Sequence, residues 1–373
     1  MKSIQLLEAI ASLSIQLFVF VALLRALQAR ITSSVSRERL WTTGLILICL
    51  STIVVMALPH LRLWPNGILN SLLVAIDTTA FDRLGNAVLI IWLLGAVATL
   101  TKLSLSITSA AGFVARSTPA NLSRSGVSDL WQEELQKTPV PGRHHPQLLT
   151  SSRSTGPACW QFHKPVIVLP PAILAHCPLA ELRMMIRHEL IHLSRQHPIQ
   201  LFLQRLLEIV FWFHPSAWRF SEELSKSREM ACDELCIEST ADARAYLRSL
   251  LTLTSFRQNG MELPDELLAF RKGRDWVGER AGEISARSWE NEPGESLWRP
   301  TVAVIVSAVL ITFCIRLPLD QETSRKELWS PWPEWSAQTL QAAGIDVRDY
   351  EPHRYRLNRN EHHNAVLPGR YED

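Results

Sequence analysis

The sequence has almost no net charge, no internal repeats and few cysteines. Its 38 lysines and arginines nearly balance 36 aspartates and glutamates, which leaves +2 over 373 residues, an excess too small to indicate a nucleic-acid partner. The last of the six cysteines is Cys314, so the C-terminal region implies no disulfide framework. These absences exclude a basic nucleic-acid-binding chain and a disulfide-rich secreted domain. The length allows about two domains.

Long apolar runs, by contrast, occur in four places. The runs cover about 4–24, 43–59, 86–105 and 301–319. A transmembrane helix needs about 20 apolar residues, and Trp41, Trp64 and Trp298 lie just outside the runs, where amphipathic rings prefer the headgroup zone. One run alone could be a buried helix of a soluble protein, but four together predict a membrane protein. The first run lacks a basic start and an A-x-A-like exit, so we expect a retained span and not a signal peptide.

Basic residues predict the orientation of these spans. The linker after the first run contains a single acid, Glu38, among the arginines Arg25, Arg30, Arg37 and Arg39. The positive-inside rule places this linker in the cytoplasm. The N-terminus is then outside, the segment 106–299 is cytoplasmic, the fourth span covers 300–319 and the tail 320–373 is again outside.

The segment 106–299 is the predicted catalytic domain, with its core at 147–250. Short apolar runs broken by Gly-Pro and Lys-Pro over 147–174 predict two or three strands. Helices are expected over about 128–136, 179–196, 199–213 and 216–238. The fold class is therefore mainly α, with four transmembrane helices and an inserted α+β, zincin-like metallopeptidase domain.

The stretch RHELIHL contains His188, Glu189 and His192, a His-Glu-x-x-His pattern. On a helix, histidines four residues apart lie on one face, so both can bind one zinc ion. Zinc lowers the pKa of a water molecule, and the neighbouring carboxylate of Glu189 can take its proton. The alternative is an ordinary helix whose histidines hydrogen-bond to neighbours.

A third ligand distinguishes these alternatives, and the stretch SREMACDE offers one. Glu229 and Asp233 are again four residues apart on a predicted helix. Glu229 can complete a His-His-Glu site for one catalytic Zn²⁺, and Asp233 can accept the free N–H of a ligand histidine. The alternative for this pair is a solvated, charged helix face.

Other candidate ligands are weaker. Cys232 and Cys236 are better explained as small apolar helix residues than as a metal pair, because thiolate zinc sites use closer spacings. His197 and His214 are near the site in sequence and could donate to a transition-state oxyanion in the cleft. Structural or surface positions are the alternative for both.

Four stretches in order, GPACWQFHKPVIVLPPAIL, RHELIHL, FWFHPSAW and SREMACDE, resemble the membrane metallopeptidases of the BlaR/MecR type. A more distant resemblance is to the HtpX/Ste24 peptidases. The resemblance implies that His188, His192 and Glu229 bind zinc, that Glu189 is the general base, and that the hairpin from Gly156, Pro157 and Ala158 onward offers an edge strand to an extended substrate. It also implies a location in the bacterial inner membrane.

Three departures from that family stand out. The family usually has an aspartate a few residues after the second histidine and an asparagine in the Phe-x-Pro turn, where this chain has His197 and His214. The beta-lactam sensors also carry a penicillin-binding domain with a Ser-x-x-Lys nucleophile after the fourth span. Residues 320–373 contain no such motif, so we expect that sensor to be missing.

The leading functional hypothesis is a zinc endopeptidase in signal transduction. The resemblance implies a protein substrate, either the chain itself or a winged-helix repressor of the BlaI/MecI kind, with membrane lipids as the other partner and no direct nucleic-acid binding. A quality-control protease for membrane proteins is one alternative. A non-catalytic signalling scaffold is another, although such a protein has no need of Glu189.

Overall fold

The structure, a computed structural model, describes residues 3–59, 78–154, 156–258, 276–287, 298–314 and 332–347. Over these residues the chain is mainly helical, with one small sheet. Two compact units are present. The first comprises Met1–Leu23, Ile46–Leu94 and Val302–Asp373, and the second comprises Leu24–Leu45 and Gly95–Thr301.

The elements follow in chain order. The helices are α1 (Ser3–Gln28), α2 (Ser34–Ala57), α3 (Thr78–Ala115), α4 (Val127–Lys137), α5 (Pro171–His176), α6 (Leu179–Ser194), α7 (His197–Val210), α8 (Pro215–Cys236), α9 (Thr240–Gln258), α10 (Val277–Ala286), α11 (Trp298–Cys314) and α12 (Glu334–Ala342). The strands are β1 (Thr118–Pro119), β2 (Gln147–Thr150), β3 (Ala158–Trp160) and β4 (Val166–Leu169).

Among the residues that the structure describes, three helices are long and apolar enough to cross a membrane. The candidate spans are Ala9–Gln28, Ser34–Ala57 and Arg83–Ala115. They contain most of the first three predicted runs, but α2 begins at Ser34 and not at Thr43, and α3 continues to Ala115. The first turns of α2, with Arg37, Glu38 and Arg39, are more polar than the predicted run, so an apolar pattern does not reveal them.

The fourth predicted run corresponds to α11, whose apolar part, Val302–Cys314, is shorter than the other three. Residues 315–319 of the predicted run lie outside the described residues. Within the first unit, the side chain of Gln16 donates to the carbonyl of Thr312 at 3.4 Å, and Thr312 Oγ1 donates to Ser51 Oγ at 2.8 Å. These contacts connect α11 to α1 and α2. The four-span arrangement, its orientation and the boundaries of the tail stay predictions, and of the tail only 332–347 are described.

The second unit contains the sheet, with strand order β1-β2-β4-β3. β2 and β4 are parallel, and the pairs β1–β2 and β3–β4 are antiparallel. All four residues of β4 are buried, as the continuous apolar run VIVL requires of an inner strand. β3 is therefore the edge strand on its side of the described sheet. The two or three strands predicted over 147–174 are observed as three, β2, β3 and β4.

Helix α6 is enclosed on two sides. Leu182, Ile186 and Leu190 face a core formed with the sheet, α4 and α5, while Met184 and Ile191 face a second core formed with α8, α9 and α10. Because apolar residues cover both faces, α6 is held in a fixed position. The residues of the His-Glu-x-x-His pattern lie on this helix.

Candidate metal centre

The two histidines of α6 converge as their spacing predicts. Their Nε2 atoms are 3.0 Å apart, since residues four apart in a helix lie one above the other. Helix α6 begins directly after Pro178 and has Glu181 in its first turn. These features are typical of a helix start.

Glu229, from α8, completes the cluster. Its Oε2 lies 3.6 Å from His188 Nε2, and its Oε1 lies 3.6 Å from His192 Nε2. A tetrahedral zinc ion with bonds of about 2.0–2.1 Å places neighbouring donor atoms about 3.3 Å apart. The observed separations lie on both sides of that value, so the three donors fit zinc.

The protonation of these groups also suits a metal ion. Burial lowers the pKa of His192 well below its usual value, so the imidazole is neutral and offers a lone pair. Burial would raise the pKa of Glu229, but Arg280 and the two histidines outweigh burial and hold this pKa well below its usual range. Glu229 is therefore an anion. Glu189 lies on α6 next to His188 and is 8% exposed.

The second ring nitrogen of His188 contacts a residue from another helix. Tyr246, on α9, places its hydroxyl 2.9 Å from His188 Nδ1 and donates a 2.5 Å hydrogen bond to Asp233 Oδ1. Asp233 Oδ1 itself is 3.4 Å from His188 Nδ1. Asp233 thus lies beside His188, with the tyrosine hydroxyl between them, and its support of a ligand histidine stays a prediction. When Nε2 binds a metal, Nδ1–H donates to this hydroxyl.

Arg280, on α10, fixes the carboxylates of this network. Its Nε and Nη2 each lie 2.7 Å from Asp233, one per carboxylate oxygen. Its Nη1 lies 3.0 Å from Glu229 Oε2. One guanidinium therefore orients both acids of the SREMACDE stretch, using the fork geometry that arginine provides.

The second ring nitrogen of His192 contacts His197. Their Nδ1 atoms are 2.8 Å apart, and Cys232 Sγ lies 3.6 Å from His197 Nδ1. His192, His197 and Cys232 also form a group that could hold a metal ion. Burial raises the pKa of the Cys232 thiol well above its usual value. His197 contacts the Nδ1 side of His192, whereas the Nε2 atom of His192 faces His188 and Glu229.

The turn between α6 and α7 brings His197 to that position. Gln196 has a left-handed backbone with φ 57, and among the described residues it is the one non-glycine residue with a positive φ. Pro198 then occupies the first turn of α7, where its missing N–H has no consequence. His197 is 3% exposed and faces His192, not an open cleft. His214 instead caps α8, since its Nδ1 accepts from the backbone N–H of Ser216 at 3.2 Å.

Glu38, from the start of α2, contacts the same turn. It is 1% exposed, forms an ion pair with Arg195, and places Oε1 3.6 Å from His197 Nε2. Thr42 Oγ1 donates to the same oxygen at 2.9 Å. The imidazole of His197 therefore lies between the Glu38 carboxylate on the candidate membrane helix α2 and His192, a predicted metal ligand.

The predicted substrate strand lies next to α6. β3 packs against this helix, and Gln161 Nε2 at its end donates to the carbonyl of Leu193 at 2.9 Å. Ala158 pairs with Val168 on the inner side, and a Cβ added to Gly156 would meet no atom within 4 Å. Of the three residues predicted for the substrate strand, Ala158 begins β3, whereas Gly156 and Pro157 precede the strand and are buried.

Three residues of this site were not found by sequence reasoning. Tyr246 and Arg280 come from helices without a chemical motif, and nothing in their spacing indicates the contact. For Glu38 the sequence contains one indication, because it is the single acid in a linker with four arginines. An isolated acid in a basic segment is a candidate for a specific ion pair.

Comparison with known proteins identifies relatives. The family model described as BlaR1 peptidase M56 matches residues 6–266. A stretch of 103 residues is 31% identical to the regulatory protein BlaR1 of Bacillus licheniformis, covering 27% of this chain and 17% of that protein. The chain thus matches less than a fifth of that relative's length. Helix α10, with Arg280, lies beyond the residues that the family model matches.

Proposed function

Because this chain belongs to the family of BlaR1 peptidases, M56, we propose that it is a zinc endopeptidase of the bacterial inner membrane that acts in signalling. The observation that carries the proposal is the convergence of His188, His192 and Glu229 on one point, with Glu189 on the same helix. A purely structural zinc site is closed by four protein ligands, whereas a catalytic site has three and keeps one position open.

The residues have separate tasks in this proposal. His188, His192 and Glu229 hold the ion, which when bound acidifies a water molecule and polarises the scissile carbonyl. Glu189 accepts the proton from the attacking water and returns it to the leaving amine. Asp233 acts on His188 through Tyr246. His197 supports His192, which suits its buried position better than donation to an oxyanion, and His214 caps α8.

We expect the substrate to be an extended protein segment. β3 can pair with such a segment through its backbone, which would align the segment beside α6. In line with the BlaR1 relationship, the substrate is proposed to be a winged-helix repressor of the BlaI/MecI kind, the chain itself, or both. The catalytic domain would lie in the cytoplasm, and the N-terminus and tail outside, as the arginines of the first linker indicate.

The decisive experiment compares the wild-type chain with the variant Glu189→Gln. Both would be reconstituted in membranes with zinc, and new protein termini would be identified by mass spectrometry. We expect cleavage products with the wild type only, since the loss of a general base reduces the rate by about 10²–10⁴. Zinc content should be equal in the two proteins.

A matched control is Glu208→Gln, which alters a buried acid of α7 whose ion pair is with Arg205 of the same helix. This control should cleave like the wild type. Equal cleavage by the wild type and Glu189→Gln would refute the peptidase proposal. Cleavage of many unfolded membrane proteins, with no preference for one repressor, would instead favour the quality-control alternative.

A further inference from the structure

A chain of polar contacts extends from the candidate membrane helix α2 to the metal centre. It starts at Glu38, passes through the imidazole of His197 and ends at Nδ1 of His192. All three side chains belong to the second compact unit. None of these contacts follows from the His-Glu-x-x-His pattern.

The tautomers along this chain are fixed once His192 binds a metal through Nε2. The lone pair at Nε2 then faces the ion, so the proton of the neutral ring is on Nδ1. His197 Nδ1, at 2.8 Å, must therefore accept. Consequently, the proton of His197 is on Nε2, the atom that faces Glu38.

Glu38 is the group that can select this tautomer. His197 Nε2 is buried and has no partner within hydrogen-bond distance among the described residues, and Glu38 Oε1 lies 3.6 Å away. A shortening of about 0.5 Å would make this a charge-assisted hydrogen bond. The carboxylate favours the proton at Nε2, and a proton there leaves Nδ1 free to accept from His192.

Surrounding groups hold the Glu38 carboxylate in place. Arg195 pairs with its Oε2, and Thr42 donates to its Oε1. Arg195 belongs to the turn between α6 and α7, and His197 begins α7, so one short segment carries two of the three groups that face Glu38. A change in the position of α2 relative to this turn would alter the support of His192.

We propose that Glu38 is a positioning residue of the metal centre, which sets the orientation and tautomer of the ligand His192 through His197. This inference rests on the proposed function, because it takes His192 as a zinc ligand. It goes further in placing a determinant of zinc binding on a candidate membrane helix. Glu38 does not touch substrate or metal.

The test measures zinc affinity and does not depend on cleavage. The full-length protein in nanodiscs would be stripped of metal and titrated with zinc against a chromogenic chelator. Loss of a group that supports a ligand histidine typically weakens metal affinity about 10–100-fold. We expect His197→Ala to lose about tenfold and Glu38→Gln slightly less. The double variant should be no weaker than His197→Ala alone, since Glu38 acts only through His197.

A rescue variant separates positioning from general stability. In His197→Asp, Oδ1 occupies the place of the imidazole Nδ1, because both atoms are bonded to Cγ, so a carboxylate accepts directly from His192. We expect His197→Asp combined with Glu38→Gln to bind zinc within about twofold of the wild type. If Glu38→Gln fails to fold, Glu38→Asp keeps the negative charge but shortens the side chain by one methylene, which moves the carboxylate away from His197, and this variant should show the same loss of zinc affinity.

Cobalt substitution adds a spectroscopic readout. The visible absorption of bound Co²⁺ reports ligand geometry, and it should change in Glu38→Gln but not in Glu208→Gln, the matched buried acid. Wild-type affinity and an unchanged cobalt spectrum in both Glu38 variants would overturn the proposal, as would additive losses in the double variant. If the wild type itself binds no zinc, the metallopeptidase proposal fails first, and this result is distinct from the others.

Discussion

Removing one hydroxyl at Tyr246 tests how the metal centre is supported. The variant Tyr246→Phe keeps the ring in its core position next to Cys236 and Leu250 but leaves His188 Nδ1–H without its 2.9 Å partner. The next acceptor is Asp233 Oδ1, at 3.4 Å. It would have to move by about 0.5 Å to reach hydrogen-bond distance.

The expected loss of zinc affinity follows from this geometry. Groups that support a ligand histidine contribute about 10–100-fold in metal affinity. Because Asp233 can compensate in part, we expect the lower end, about tenfold, or about 1.4 kcal/mol. The metal-free protein should also lose about 2–3 kcal/mol of unfolding free energy, since the hydroxyl contacts the charged groups of Asp233 and Arg280.

Chelator competition measures the first quantity, and denaturant unfolding in detergent measures the second. Ser249→Ala is the matched control, because its hydroxyl bonds the carbonyl of Tyr246 at 2.6 Å without touching the histidines. This control should keep wild-type zinc affinity. If Tyr246→Phe also binds zinc like the wild type, the hydroxyl does not support His188 and the reasoning is wrong.

Two further predictions concern stability. Glu134→Gln breaks a buried ion pair with Arg187, whose Nε and Nη2 lie 2.7 and 3.0 Å from the carboxylate, and should lower the free energy of unfolding in denaturant by about 3–5 kcal/mol. The control Lys137→Ala breaks an exposed ion pair with Glu133 and should cost under about 1 kcal/mol; a smaller loss for Glu134→Gln than for this control would contradict the prediction. Gln196→Gly removes the left-handed strain at φ 57 and should raise the unfolding free energy by up to about 1 kcal/mol, whereas a clear fall would show that the glutamine side chain matters more than its backbone.

Sequence reasoning located the parts of the site that lie on single helices. The spacing of His188 and His192, and of Glu229 and Asp233, needs only the helical period, and the helices α6 and α8 form at these positions. The strands next to Lys164-Pro165 and Pro170-Pro171 were also predictable, because short apolar runs that end at prolines indicate strands from neighbouring residues alone. The family relationship drawn from these stretches is confirmed by the M56 match.

Contacts between distant segments were not predictable in this way. Tyr246 and Arg280 reach Asp233 because α9 and α10 pack on α6 and α8, and packing geometry is not encoded in any short pattern. The sequence placed Glu38 in a linker, because an apolar run shows only the apolar turns of a helix and α2 begins with polar ones. The polar first turns of α2 are helical, and Ser34, Ser36 and Glu38 are buried, which places the acid against the turn at Gln196.

The arrangement around α6 has a consequence for the order of assembly. The contacts that support the site join residues as far apart in sequence as Glu38 and Arg280. The two histidines, by contrast, are only four residues apart on one helix. A nascent chain that carries His188, His192 and Glu229 still lacks the guanidinium that orients Glu229 and Asp233 until α10 has been synthesised. The complete centre can therefore form only once the chain has been synthesised through α10.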